Sequence, residues 1–413
     1  MNIVVVNDFA HVNGGTAQVA LASAGELARR GHQVTVFSAV AGSAGSADIP
    51  GVQRVCTEQE EIAADPNRGR AFMQGLWNRR SQRAMGELLH GLDRDDTIVH
   101  LHGWTKALSP SVIREAVVRG FPIVTTLHDY FCACPNGGFF LYPQQQHCHV
   151  RPLSWACVST DCDPRNYPQK LWRVARQVVQ QRAAYFPCAT RHFISISEFS
   201  ERILLPHLPS GAVVHRVPNP IEVPSGEPAP VVSNTGFLFV GRFSPEKGVV
   251  LLAAVAHELG VPVTFVGNGP LREAVAQACP SARFTGWLPK EQVREHVRAA
   301  RALVLPSLAY ETQGLVVGEA ASQGVPAIVP RQCAASEFVV NGATGCWFDS
   351  GDRASLAAAM KSLHEDSVLA ATMGKRAHAA FWADPPTLDR HVRELEQVYL
   401  AVLRDSQSGR ETP

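Results

Sequence analysis

Two cations and two carboxylates in the second half of the chain have the types and spacing of a polar ligand site. Arg242 and Lys247 fall in Gly241-Arg242-Phe243-Ser244-Pro245-Glu246-Lys247-Gly248, directly after the apolar run Phe237–Val240. Gly241 lets backbone come close to a ligand, and two fixed cations beside a helix N-terminus suit a diphosphate. The competing reading is a solvated turn with two surface cations. Glu311 and Glu319 fall in Leu305-Pro306-Ser307-Leu308-Ala309-Tyr310-Glu311-Thr312-Gln313-Gly314-Leu315-Val316-Val317-Gly318-Glu319-Ala320. There Glu311 is expected in a loop after a strand. Gly314 opens a helix whose free N–H groups are available to an anion or a hydroxyl. Glu319 sits inside that helix between Val317 and Ala320, and a carboxylate on an apolar face rarely stays unpaired. Sugar hydroxyls would satisfy both acids; the plainer reading of Glu319 is a surface acid on an amphipathic helix.

The first half offers a second set. Asn13-Gly14-Gly15-Thr16 follows the first strand and opens a helix, so Gly14 and Gly15 permit an anion to approach the backbone. The spacing is not G-x-G-x-x-G, and Gly267-x-Gly269 fails that test as well, which argues against a dinucleotide oxidoreductase. His128 ends a strand in Thr126-Leu127-His128-Asp129-Tyr130, where a ligand would be reached; a backbone-satisfied core histidine is its alternative. His100 and His102 share one strand face. His102, at the strand end, is placed where a ligand would be reached and His100 is read as structural. Asp93–Asp95 and Asp161–Asp163 match Asp-x-Asp, but one precedes a strand and the other lies among cysteines, so both are read as chance.

Such residues need strand ends to hold them. Short apolar runs alternate with amphipathic stretches: strands are expected at Ile3–Val6, Val34–Phe37, Ile98–Leu101, Ile123–Leu127 and His192–Ser195, with helices between, among them Arg70–Leu89 and Gln169–Tyr185. Pro218-Asn219-Pro220 interrupts the pattern, and Val223–Asn234 reads as a Pro/Gly/Ser-rich linker. The alternation restarts with strands at Phe237–Val240, Val263–Val266, Ala282–Thr285, Ala302–Leu305 and Ala327–Val329. This is an α/β chain of two Rossmann-like domains. Ligands of open parallel sheets sit beyond the carboxyl ends of the strands, so the domains are expected to face one another across a cleft. The boundaries read are 1–218 for the N-terminal domain and 219–385 for the second domain. A C-terminal helix from 386 would pack back on the first domain, with a polar, frayed tail over 404–413.

Composition excludes other classes. The chain has 413 residues, with Lys+Arg 38 against Asp+Glu 37, so no global charge steers it toward nucleic acid. The apolar run at Ile3–Val6 is too short for a signal peptide and no segment reaches membrane-spanning length, so a cytoplasmic protein is expected. Lys170, Arg173 and Arg176 recur at helical spacing beside Trp172, and Arg79, Arg80 and Arg83 lie near Trp77. Either face could touch an anionic membrane from its inner side; a solvated helix face is the favoured reading. Five of the ten cysteines fall between Cys132 and Cys162, in an insert near 130–166 that has little periodicity. Cys134, Cys148, Cys157 and Cys162 could supply four thiolates to a structural zinc, or be packed reduced thiols; a reducing compartment disfavours disulfides.

Glu311 and Glu319 have the Glu-x7-Glu spacing of retaining glycosyltransferases of family 4, which have the GT-B fold, and the chain resembles that family over nearly its whole length. Val266-Gly267-Asn268-Gly269-Pro270, Phe284-Thr285-Gly286-Trp287, Gly324-Val325-Pro326 and Glu337–Gly345 match in order. Cys134-Pro135-Asn136-Gly137-Gly138 resembles a subset with cysteine-rich inserts. The resemblance implies that Arg242 and Lys247 bind a donor diphosphate, Glu319 the ribose hydroxyls and Glu311 the donor sugar. It gives the amides of Thr312, Gln313, Gly314 and Leu315 to sugar and phosphate. Gly14, Gly15, Gly241, Gly267 and Thr285 join them at the donor, and His128 and His102 serve the acceptor. Gln313 stands where the family often has an aromatic residue, which puts sugar specificity in question. The implied activity is transfer of a sugar from a nucleotide sugar to a hydroxyl of a saccharide, lipid-linked saccharide or small molecule, with retained configuration and no cofactor in the chemistry. Bacterial polysaccharide or glycolipid synthesis is the implied setting. The alternative is a GT-B sugar-nucleotide hydrolase or epimerase.

Overall fold

The computed structural model describes residues 1–42 and 48–411. Two compact units result: Met1–Gly138 with Val150–Pro220 and Pro386–Pro413, and Phe139–His149 with Ile221–Pro385.

The first unit is built on β1 (Asn2–Val6), β2 (Gln33–Ser38), β3 (Val52–Cys56), β4 (Thr97–Leu101) and β5 (Ile123–Thr126). A short hairpin, β6 (Phe140–Leu141) and β7 (Gln146–His147), groups with the second unit; β8 (His192–Ser195) and β9 (Val213–Arg216) complete the first sheet. That sheet is parallel with order β3-β2-β1-β4-β5-β8-β9, and its direction of growth reverses between β1 and β4. Ile3 registers against Val34 on one side and Ile98 on the other, and all three are buried. Strands covered on both faces read as continuous apolar runs, as the sequence of β1 does.

The second unit repeats the scheme with β10 (Phe237–Val240), β11 (Val263–Val266), β12 (Arg283–Gly286), β13 (Ala302–Val304), β14 (Ala327–Pro330) and β15 (Gly345–Phe348). Its order is β12-β11-β10-β13-β14-β15, all parallel, with the reversal between β10 and β13. Phe239, Phe243 and Phe265 are fully buried at its centre.

The helix Leu388–Glu411 packs on Gly15–Arg29, burying Val392, Leu395 and Tyr399 in the first core. Arg30 pins it by pairing with Asp389 at 2.5 Å and Glu396 at 2.9 Å. This helix runs through the stretch expected to fray from Arg404; residues 412–413 of that expectation lie outside the described ones.

Three further expectations are corrected. The single helix over 70–89 is two, Arg68–Leu76 and Arg79–His90, because buried Asn78 turns the chain: it caps the second helix at Ser81 N and donates to Ala107 O at 3.0 Å. The linker is packed rather than free, since Ile221, Ala229 and Val231 are buried and Ala229 N donates to Gln323 O at 2.7 Å. The basic helix face is not solvated: Lys170 and Arg176 are buried, and Arg173 pairs with buried Asp163 at 2.8 Å. Among the described residues no helix is long and apolar enough to cross a membrane.

Candidate active site

At the carboxyl edge of the second sheet, glycines let loops pack backbone against backbone. A Cβ on Gly267 would stand 2.0 Å from the Gly241 carbonyl oxygen, and one on Gly269 2.4 Å from that of Phe243. Gly248, at φ +64°, leaves no room for a Cβ, which would lie 2.0 Å from Pro306 O. This contact seats the short 3-10 turn Pro245–Lys247 against the loop after β13, where Leu308 N donates to Glu246 O at 2.8 Å. The turns therefore meet at the reversal between β10 and β13, where ligands of such sheets bind. Replacing Gly248 by Ala is expected to cost about 2 kcal/mol or more of stability, since a left-handed conformation and a backbone clash coincide. A thermal melt unchanged from wild type would count against this packing.

The turns bring Lys247 Nζ to 2.6 Å from Glu311 Oε1, and Ser307 Oγ donates to the same carboxylate. Burial pushes the Glu311 carboxyl up, but the Lys247 ammonium and the Ser307 hydroxyl outweigh it and hold the group below its ordinary range. Burial pulls Lys247 down and Glu311 more than restores it. The pair is thus ionised at neutral pH, and its stabilisation is lost as pH falls below about 4.3 through the depressed Glu311 pKa. Arg242 is exposed and makes no ion pair among the described residues. Thr285 Oγ1 donates to Gly286 O at 2.9 Å, beside Gly267, whose N–H bonds the same carbonyl at 2.8 Å.

Gly314, at φ +79°, caps the helix Leu315–Ser322; a Cβ there would meet Ala335 Cβ at 2.6 Å, so the position requires glycine. Gln313 is buried and its Oε1 has no partner, while Thr312 and Leu315 are half-buried beside it. Glu319 is half-buried with no hydrogen bond to its carboxylate among the described residues; burial raises its pKa and Lys290 lowers it in part.

In the first unit the sheet reverses between β1 and β4. Gly14 and Gly15 stand at the start of the helix Gly15–Arg29, and a Cβ on either would meet nothing within 4 Å. Nothing within the fold therefore demands glycine there. Asp8 shapes the edge by accepting the N–H groups of Lys106, Ala107 and Leu108 at 2.8–2.9 Å. His102, just past β4, meets His128, just past β5, with Nδ1 and Nε2 2.9 Å apart. His100 is locked at 2.7 Å from both Tyr399 Oη and Thr126 Oγ1. Burial, followed by nearby His391, pushes His128 down to about 3, and burial holds His100 and His102 well below their ordinary value. All three rings are neutral at neutral pH, so between His102 and His128 one N–H donates to the other's lone pair. His102 Nε2 is buried without a hydrogen-bond partner among the described residues.

Two site residues escaped the sequence. Asp129 is pushed up to about 6 by burial, against the Phe131 N–H and the charges of Arg176 and Lys106. Its position beside His128 was the available signal. Asp129→Asn is expected to raise the melting temperature at pH 7 and leave it unchanged at pH 4. The raised folded pKa means stability falls as pH climbs from about 4 to about 6, and the amide has no proton to lose there. Equal melting shifts at both pH values would contradict it. The other is His147 on β7, whose ring stacks on Tyr310, next to Glu311, with centroids 4.0 Å apart. The aperiodic insert gave no sign of it.

The zinc expectation is corrected. Cys148 groups with the second unit, whereas Cys134, Cys157 and Cys162 belong to the first, around the Lys170 ammonium. A cation already stands between the thiols where a second would be repelled. Among the described residues no group of three or more His, Cys, Asp or Glu is arranged to hold a metal ion.

Comparison with known proteins agrees with this layout. The chain is 27% identical over 381 residues to a glycogen synthase of Mycobacterium tuberculosis, covering 87% of this chain and 84% of that protein. It is 29% identical over 208 residues to a phosphatidyl-myo-inositol mannosyltransferase of Mycolicibacterium smegmatis, covering 46% and 53%. Among solved structures, sucrose-phosphate synthase from Thermosynechococcus elongatus superposes with a TM-score of 0.69 at 17% identity, covering 98% of this chain and 99% of that one. HepE of Anabaena, in complex with UDP-glucose, does so at 0.66 and 16%, covering 97% and 100%. The architecture is thus GT-B. The family model described as "Glycosyl transferases group 1" matches residues 234–366, and that of "Glycosyltransferase Family 4" matches residues 13–223, half of the chain. The chain belongs to glycosyltransferase family 4 and is a glycosyltransferase of the GT-B type.

Proposed function

We propose that this enzyme transfers a sugar from a nucleotide sugar to a hydroxyl acceptor with retention of anomeric configuration. The observation that carries the reading is the Lys247–Glu311 pair at 2.6 Å, held where β10 and β13 diverge and beside the helix opened by Gly314. Its ammonium has further N–H donors for a diphosphate, and the carboxylate has lone pairs left for a sugar hydroxyl. Arg242 supplies a second cation, one with no ion pair among the described residues. Glu319, whose carboxylate has no hydrogen bond among the described residues, takes the ribose hydroxyls, with Thr285 and Gly267 beside the nucleotide. The UDP-glucose complex of HepE and the glycogen synthase and mannosyltransferase relatives support a donor of this class.

Charge develops on the leaving diphosphate as the glycosidic bond breaks. Lys247, Arg242 and the amides at Gly314 and Leu315 stabilise it, and preorganised donors of this kind contribute several kcal/mol. The acceptor hydroxyl attacks on the leaving-group face and its proton passes to the diphosphate. Glu311 is engaged with Lys247 and Ser307 and is assigned no nucleophilic role. Neutral His128, backed by His102, hydrogen-bonds acceptor and sugar hydroxyls. Lipid-linked or free saccharides of bacterial glycoconjugates are the proposed acceptors. Because protein cations meet the leaving-group charge, turnover is expected to persist through brief EDTA treatment. Loss restored by Mg²⁺ or Mn²⁺ would show that these side chains are insufficient.

The testing experiment is a thermal-shift screen of UDP-, GDP- and ADP-sugars, followed by NMR of the product made from the donor that binds. A product with the donor's anomeric configuration is expected. Inverted product, or nucleotide release without acceptor at the full turnover rate, would overturn the reading.

A further inference from the structure

Lys170 lies in the first turn of the helix Tyr167–Arg182 and is 1% exposed. Among the described residues no carboxylate pairs with it. Its N–H groups instead meet Cys157 O at 2.7 Å, Cys157 Sγ at 3.6 Å and Cys162 Sγ at 3.2 Å. An ammonium has three hydrogens, and two of the three acceptors here are thiol sulfurs. Both cysteines are buried, so the amine and the sulfurs are shielded together from water.

The surroundings hold the groups in contact. Ser154 Oγ caps Cys157 N at 3.1 Å, and Asn136 Nδ2 donates to Cys162 O at 2.7 Å. Asp163, next to Cys162, is buried and pairs with Arg173 at 2.8 Å, on the same helix as Lys170. Asn166 caps that helix by accepting from Gln169 N at 3.0 Å. Neither the lysine nor Cys162 can swing away without breaking this frame.

We propose that Lys170 and Cys162 form an oxidative nitrogen–oxygen–sulfur cross-link, with molecular oxygen as the oxidant. Loss of one proton from the ammonium–thiol contact gives the amine–thiol pair that reacts. One oxygen atom of O₂ bonds to Nζ and to Sγ. One N–H bond, the S–H bond and the O–O bond break, and the second oxygen atom leaves with the two hydrogens as water. Two equivalents of a dithiol reverse the reaction: the bridging oxygen departs as water, amine and thiol return, and both dithiols become disulfides. A Cys157–Cys162 disulfide is the less favourable product, because it leaves a buried ammonium facing no anion. Oxidation to a sulfinic acid is the ordinary end for an exposed thiolate, whereas these sulfurs are enclosed with an amine at contact.

The site bears on the rest of the unit through its helix. Gln177 Nε2 holds Cys132 O at 3.1 Å and Gln180 Nε2 holds Phe131 O at 3.2 Å, in the segment that follows His128. A covalent tie at Lys170 fixes the register of that helix against the insert.

The test is peptide mapping by mass spectrometry of the purified full chain, kept either in air or under a dithiol without oxygen, and digested at acid pH. The expected product in air joins the Lys170 peptide to the Cys162 peptide with one oxygen gained and two hydrogens lost, and it disappears under the dithiol. It is expected to be absent from Cys162→Ser and from Lys170→Arg, and to persist in Cys157→Ser. A Cys157–Cys162 disulfide or sulfinic acids in air, with Lys170 a free amine, would overturn the proposal. So would thiols and amine left unmodified after prolonged exposure to air. The wild-type map decides the matter even where a variant fails to fold.

Discussion

Lys247→Ala lowers kcat/KM by about 100-fold or more, the consequence of losing roughly 3 kcal/mol of charge stabilisation in the transition state. The ammonium is fixed at the carboxyl edge of the second sheet by an ion pair, 2.6 Å from Glu311. Arg242, although adjacent in sequence, is exposed and free of ion pairs among the described residues, so Arg242→Ala has the smaller effect. Removing Lys247 also leaves Glu311 with Ser307 alone and relieves the pull on its pKa, so the variant is less stable as well as less active. The two effects separate in Lys247→Ala/Glu311→Gln, which removes the orphaned charge. That double variant recovers melting temperature and stays inactive. Restored turnover in it would mean that Lys247 serves only to neutralise Glu311. Unchanged kcat/KM in folded Lys247→Ala would remove the diphosphate role.

The legibility of this chain follows burial. Strands covered on both faces, such as Ile3–Val6 and Phe237–Val240, are continuous apolar runs that only a parallel sheet explains, and from their alternation with helices the fold class could be read. The edge strands of the first sheet were missed. Val52–Cys56 carries Gln53 and Arg54, and Val213–Arg216 carries His215 and Arg216, because a sheet edge is half open to water and its sequence is mixed. The acid and cation motif was legible because its residues cluster in two short segments. That Lys247 and Glu311 touch was not: the contact depends on Gly248 having no Cβ against Pro306, a fact of backbone geometry. The basic helix misled for a related reason. Lys170, Arg173 and Arg176 have the spacing of a solvated face, but Asp163, Cys157 and Cys162 and the rings of Phe131 and Trp172 receive them inside. All of these partners but Trp172 come from an aperiodic insert, where neither a period of two nor one of 3.6 shows which way a side chain points.

His128→Ala is expected to lower kcat/KM by about 100-fold while nucleotide affinity stays within about twofold, because the side chains proposed for the nucleotide all belong to the second unit. The substitution also strips His102 Nδ1 of its 2.9 Å partner, leaving a buried ring with neither nitrogen bonded. That adds a stability loss of about 1–3 kcal/mol, so activity is compared at a temperature where both proteins are folded. Since burial keeps His128 neutral down to about pH 3, its protonation cannot produce an acid limb in the pH–rate profile between 5 and 7. Asp129, which titrates near 6, is the neighbouring group that can. An acid limb near pH 6 therefore persists in the residual activity of His128→Ala and vanishes in Asp129→Asn. A limb that disappears with His128 instead would mean that the ring is charged during turnover. In that event the protonated ring would be the donor, and His102 Nδ1 the acceptor, of the bond between them. Nucleotide affinity that falls along with kcat/KM would place His128 at the donor rather than the acceptor.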